Sequence, residues 1–263
     1  MLRASRKGHT YHGDVDVNAD LGESYGRWTL GDDVALVRHL TSANLACGFH
    51  AGDFSVMERT VALCRDAGVA VGAQPGYPDL LGFGRRPMPF SPEEVESLVR
   101  YQIGALDAFC RAAGVELRHV KPHGALYNQA AADPLLAGAI ARAVARFSRE
   151  LLLFGLASSE PMRSAAADAG LRFVPEAFAD RRYLADGSLQ PRSQPGSLIT
   201  DATAAAAQAV RVAVDGEVRA VDGTAVTIDA ESICCHGDTP GAVEIAGAVR
   251  AALATAGVEV SAP

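Results

Sequence analysis

The sequence contains no run of about 18 consecutive apolar residues, so nothing in it reads as a membrane-spanning helix. It also lacks a CxxC pair, and its five cysteines are odd in number, with Cys234 and Cys235 adjacent. That argues against both a disulfide framework and a zinc site built of thiolates, and favours buried thiols in a reducing compartment. Basic runs are equally scarce. Lys and Arg number 24 against 31 Asp and Glu, giving a net charge of −7, and the one basic stretch is the short Arg3 to Lys7 segment. A nucleic-acid footprint is therefore excluded. No Ser/Pro-rich or charged linker divides the chain, no internal repeat is visible, and neither GxGxxG after the first strand nor GxxxxGK[ST] anywhere is present. These absences leave one 14–263 domain behind a basic leader, residues 1–13, that has no signal-peptide apolar segment and is expected to be loose and poorly ordered. Cytoplasmic residence follows by default.

What is present is alternation. The chain has 263 residues, 49% of them hydrophobic, enough for one large α/β core. Short β-branched and apolar runs, at Val15 and Val17, Thr41 to Gly48, Val69 to Val71, Leu117 to Val120, Leu151 to Ala157, Leu171 to Glu176 and Ser232 to Cys235, are separated by segments of helical spacing. Several helices carry their own start signals: Asp32 and Asp33, Ser91-Pro92 with Glu94 as a capping box, and Asp201. Asp53 has two readings, a helix cap or a site residue, and Ser158-Ser159-Glu160 reads as capping. A hairpin is expected from Val218 to Ile228. About seven strand-then-helix units predict an irregular (β/α) barrel with about seven parallel strands, the runner-up being an open doubly wound sheet.

Polar residues cluster where these strands end. The first run, DVDVNADLGE, carries Asp16, Asn18, Asp20 and Glu23; GFHAGD carries His50 and Asp53; GAQPGYPD carries Gln74. KPHGALYN brings Lys121 and His123, two positions apart and able to point the same way; PEAFADRR brings Glu176, Asp180 and Arg181; CHGDTPGA brings His236 and Asp238. In a barrel all of these strand ends share one face. Buried carboxylates gain a fold nothing unless they meet cations, metal or substrate, which makes the set a functional pocket. Two long irregular loops flank it. In one, GFGRR at 82–86 reads as a turn with solvated arginines rather than an anion cradle, and in the other Arg192 and Ser193 form a returning arm over the site.

The segments DVNADLGE, SANLACGFHAGD, HVKPHGALYN, VPEAFADR, LQPRSQPGSLI and CCHGDTPGA, in that order and spanning nearly the whole chain from Val15 to about Gly257, resemble the LamB/YcsF family. The resemblance implies a barrel related to the glycoside hydrolase/deacetylase superfamily. It also implies a role as the A component of the bacterial ATP-dependent 5-oxoprolinase, opening 5-oxo-L-proline to L-glutamate with subunits B and C while ATP is hydrolysed. Two departures stand out: Gln74 where many relatives have His, and a longer leader before Asp14. A glutamine neither shuttles protons nor commonly ligates metal, so position 74 is not expected to be essential. With no Walker motif, ATP is expected to bind mainly on a partner.

On that reading Asp20 and His50 activate water, Lys121 and His123 stabilise negative charge, and Asp16, Asn18, Glu176, Arg181, His236 and Asp238 orient these groups or hold substrate. A second reading follows from the superfamily's habit of holding a divalent metal by one Asp and two His. Asp16 or Asp20 with His50 and His123 would form that set, in a stand-alone amide or glycan hydrolase or deacetylase. A third is a non-catalytic scaffold subunit.

Overall fold

The computed structural model describes residues 14–263, so the expected leader at 1–13 lies outside the described residues. Strand β1 (Asp16–Leu21) leads through helix α1 (Asp33–Leu36) to β2 (Ser42–Ala46), and α2 (Phe54–Ala67) leads to β3 (Ala70–Gln74). Next come α3 (Pro92–Ala112), β4 (Leu117–Val120), α4 (Gly124–Ala130), α5 (Pro134–Phe147), β5 (Leu152–Leu156), α6 (Glu160–Ala169) and β6 (Phe173–Phe178). Then α7 (Ala202–Val210) precedes an antiparallel hairpin of β7 (Glu217–Arg219) and β8 (Ala225–Thr227), and β9 (Ser232–Cys234) and α8 (Ala242–Thr255) end the chain.

Strands β1 to β6 and β9 close into a seven-stranded barrel in which every neighbouring pair is parallel. The expected barrel is the observed one; the open sheet is not. Closure is made by β9, which pairs with both β1 and β6. The hairpin expected between Val218 and Ile228 is present and forms a two-stranded sheet separate from the barrel. Among the described residues no helix is long and apolar enough to cross a membrane.

The helices start where the sequence says they should. Ser91 and Glu94 exchange both bonds of a capping box over Pro92, Asp32, Asp133, Ser159 and Asp201 each cap a helix through a side-chain oxygen, and Asp53 accepts from the backbone N–H groups of Ser55 and Val56. Asp53 also accepts from Gly26 N at 2.6 Å, tying the loop after β1 to α2. The capping reading of Asp53 is the correct one.

Packing explains the polar strands. In β1, Val17, Ala19 and Leu21, with Val15 just before it, join the apolar core shared with the helices, whereas the alternate residues Asp16, Asn18 and Asp20 point into the lumen. The strand thus does not end before Asn18, as its polarity suggests, but runs through Leu21. Barrel lumens are usually filled by branched apolar side chains; this one is filled largely by a hydrogen-bonded polar network. The His119 ring in it is seated by a glycine. The His119 ring lies against Gly72 on the neighbouring strand, where an added Cβ would sit 2.0 Å from Nε2, and it stacks on Phe154 at 4.3 Å.

Candidate active site

Asn18 is the hub of the lumen. Its Nδ2 donates to Glu176 Oε1 (2.9 Å) and Ser232 Oγ (2.7 Å), and its Oδ1 accepts from Asn44 Nδ2 (2.7 Å) and Lys121 Nζ (3.2 Å). Both donors and both lone pairs are used, so Asn18 has nothing left for substrate. Glu176 is similarly committed: Oε1 also meets Lys121 Nζ at 2.7 Å, and Oε2 accepts from Tyr127 Oη at 2.9 Å. Asp16 accepts from Thr41 Oγ1 (2.6 Å) and from Ser232 Oγ near the strand start, and burial pushes its carboxyl up to about 6 against these bonds. Of the two roles expected of these three residues, orienting the other groups or holding substrate, their bonds match the first, and none of them lines the cavity. Each reason is the same: strand register sets them below the ring of residues that reaches the mouth.

Lys121 is the charge around which the upper layer is arranged. Burial alone would depress its ammonium, but Asp20 (3.5 Å) and Glu176 outweigh that and hold it well above the usual lysine range. Burial would likewise raise the Asp20 carboxyl, but the attraction of Lys121, with help from His236 and His123, holds it well below the usual range. Asn44 Nδ2 donates to Asp20 Oδ1 at 3.0 Å, fixing it further. Lysine and aspartate are therefore both ionised at neutral pH.

Two histidines stack above them. The rings of His50 and His123 are 3.8 Å apart, and Phe83 from the GFGRR turn packs edge-on against both. His123 Nε2 donates to the Phe83 carbonyl at 2.9 Å, which leaves Nδ1 as the lone pair, facing Glu23 Oε1 at 3.8 Å. Burial lowers His123 to about 4 and His50 well below its ordinary value, whereas burial and the charges of Asp20 and Asp238 raise Glu23 well above its own. Gly84 makes the turn possible: its φ is +64°, and a Cβ there would lie 2.8 Å from His50 Cβ.

Opposite, Asp180 accepts from His236 N (3.2 Å), His236 Nδ1 (2.9 Å) and Thr239 Oγ1 (2.7 Å). Burial would raise Asp180, but His236 outweighs it and draws the carboxyl down to about 2. His236 Nδ1 is thereby taken, and Nε2 remains for a ligand. The ring stacks on Phe178, whose face also meets Lys121 Nζ at 5.2 Å.

These groups frame a cavity of about 560 Å³, within the range of small-molecule sites. Asp20, Gln74, Lys121, His123, Arg181 and His236 form part of its wall, and the arm at Arg192 and Ser193 covers it as expected. His50 does not reach the wall: it is wholly buried behind His123, and neither ring nitrogen has a hydrogen-bond partner. The GFGRR arginines are not simply solvated either. Arg85 pairs with Asp238 at 2.6 Å, and Arg86 pairs with Asp79. Sequence reading missed Glu23 as a partner of the histidines, as well as Asn44, Tyr127 and Ser232. The strand alternation that puts Asn44 on one face with Ser42 was the available signal for the first of these polar partners.

Among the described residues the one cluster of donors close enough to suggest a metal is Glu23, His50 and His123, neither Asp16 nor Asp20 belonging to it. Glu23 Oε1 and both ring nitrogens of His50 are buried without a hydrogen-bond partner, so the cluster offers free donor atoms of the kinds a divalent ion such as zinc accepts.

Comparison with known proteins agrees with the fold and the motifs. The sequence model of the LamB/YcsF family matches residues 15–263. A protein of Chloroflexus aurantiacus, named as the A component of 5-oxoprolinase, is 57% identical over 95% of this chain and 98% of its own length. One of the same name from Bacillus subtilis is 51% identical over 94% and 98%. The crystal structure of a lactam utilization protein from Thermus thermophilus superposes with a TM-score of 0.90 at 52% identity, covering 95% of this chain and all of that one. With the seven-stranded barrel and the ordered motifs in hand, the chain belongs to the LamB/YcsF family.

Proposed function

We propose that this chain is the lactam-opening component of a cytoplasmic ATP-dependent 5-oxoprolinase, converting 5-oxo-L-proline to L-glutamate together with partner subunits B and C. The observation that carries the reading is one cavity whose wall holds an ionised Asp20–Lys121 pair, a neutral His123 and the Asp180-oriented His236. The names of relatives at 51–57% identity support the substrate, and five free buried cysteines suit a reducing compartment.

A lactam resists water because amide resonance weakens its carbonyl as an electrophile and its nitrogen as a leaving group. Transfer of the γ-phosphoryl group of ATP to the lactam oxygen, on a partner, removes that resistance. Water then adds to the activated carbon, the ring C–N bond breaks as the nitrogen takes a proton, and a second water cleaves the resulting acyl phosphate to glutamate and inorganic phosphate. In this chain Asp20 orients the water and takes its proton, Lys121 stabilises negative charge on oxygen, and His236 Nε2 supplies the proton to nitrogen; His123, neutral and with its N–H given to the Phe83 carbonyl, does not share the charge-stabilising role expected of it. Pre-set charge of this kind is commonly worth about 3–4 kcal/mol per group, and acid–base help about 10²–10⁴ in rate. His50, behind His123, holds that ring in place.

The test is glutamate release from 5-oxoproline with ATP, by the chain alone and with subunits B and C added. Release only in the three-part mixture is expected; none in either mixture, with the partners folded, overturns the reading.

A further inference from the structure

Three arginines reach the cavity wall, and the proposed reaction leaves them unused. Arg85 comes from the GFGRR turn, Arg181 from the end of β6, and Arg192 from the covering arm; all three lie in the cavity wall. Their principal carboxylate is Asp238, 2.6 Å from Arg85 and 3.7 Å from Arg192. Asp180 is near Arg181 but commits its oxygens to His236 and Thr239, and Asp186, also in the wall, caps Ser188.

The donors are not used up. Arg181 is 4% exposed, and its guanidinium bonds to the Gln190 carbonyl through Nη2 while the buried Nε has no hydrogen-bond partner. The buried Nη2 of Arg192 has no hydrogen bond either. Burial and the charge of Arg192 pull Arg181 down to about 10, so the cluster holds cations together at a cost that an anion would relieve. Guanidinium groups suit oxyanions because their planar N–H forks match two oxygens at once.

Building on the function proposed above, we propose that Arg181 and Arg192, with Arg85 beside them, form a phosphoryl-binding subsite, so that the chain receives its lactam as the O-phosphorylated species. The phosphoryl group would sit among the arginines while the ring carbon reaches the Asp20–Lys121–His123 side of the same cavity. The alternative ligand of the same chemistry is the carboxylate of 5-oxoproline itself.

Calorimetric titration of the purified full chain with inorganic phosphate, and separately with 5-oxoproline, tests the subsite without requiring partners or turnover. Saturable phosphate binding is expected, weakened tenfold or more in Arg181→Gln and in Arg192→Gln, with 5-oxoproline affinity changed less than threefold. Arg192 lies on the partly exposed arm, so its variant remains informative if Arg181→Gln fails to fold. Absence of phosphate binding, or binding unchanged in Arg192→Gln, overturns the proposal. A parallel loss of 5-oxoproline binding also overturns it and assigns the arginines to the substrate carboxylate. Failure of glutamate release with intact phosphate binding would count against the enzyme reading alone.

Discussion

The imidazole rings of His50 and His123 lie face to face, 3.8 Å between centroids and 4° from parallel, both inside the protein. Two cations cannot share that spacing without solvent, so the stack exists with neutral rings. The Glu23 carboxyl at 3.8 Å from His123 does not alter this, because its own ionisation is opposed by burial and by Asp20.

The stack therefore makes folding pH-dependent. A histidine at about 4 in the folded state and 6.5 unfolded leaves the unfolded chain holding more protons in that interval. Its contribution is complete above pH 6.5 and is lost as pH falls toward 4, up to about 3 kcal/mol. Asp16, raised to about 6, works in the opposite direction, losing stability as pH rises from 3.8 to 6. Urea denaturation of wild type and His123→Gln from pH 7 to 4 separates them: the variant should lose less stability on acidification, and an identical slope would refute the assignment.

Lys121→Met should strip Asp20 and Glu176 of their cation. Breaking a buried pair on one side costs about 3–5 kcal/mol. Removing Glu176 as well, in Lys121→Met/Glu176→Gln, should restore part of the loss, while glutamate release in the assembled complex stays abolished in both. Denaturation midpoints report the first effect and the coupled assay the second.

Gly84→Ala should damage the site through the backbone. The position needs φ +64°, and the new methyl would meet His50 Cβ at 2.8 Å and His123 Cδ2 at 3.0 Å. A cost of about 1–3 kcal/mol and a fall in kcat larger than the change in KM are expected. Full activity with wild-type melting would show that the stack tolerates displacement.

Asp53→Ala should behave as loss of a cap. Its side chain holds Ser55 N, Val56 N and Gly26 N, so stability should fall by about 1 kcal/mol while kcat/KM of the assembled enzyme stays within twofold. A large kinetic loss at unchanged stability would return Asp53 to the site.

Much of this was readable along the chain because it is written locally. A cap such as Ser91 with Glu94 acts over three residues, and strand and helix periods repeat within each segment. The approximate number of barrel strands followed from those periods, and the pocket followed from the rule that strand ends share a face. The motifs also carried the family.

The allocation of roles inside the pocket was not local. Asn18 meets Glu176 across 158 positions and Ser232 across 214, and only barrel closure through β9 brings them together. Register then decides depth: Asp16, Asn18 and Asp20 alternate identically in sequence, yet of the three only Asp20 rises far enough to line the cavity. The pairing of His123 with Glu23, the seat of His50 behind it, and the meeting of Arg85, Arg181 and Arg192 depend on loops from different strands folding over one mouth. Sequence determined which chemical groups and which elements the protein has. Tertiary structure decided which groups neutralise each other and which stay free for a ligand, because charge and hydrogen bonding act through distance in space.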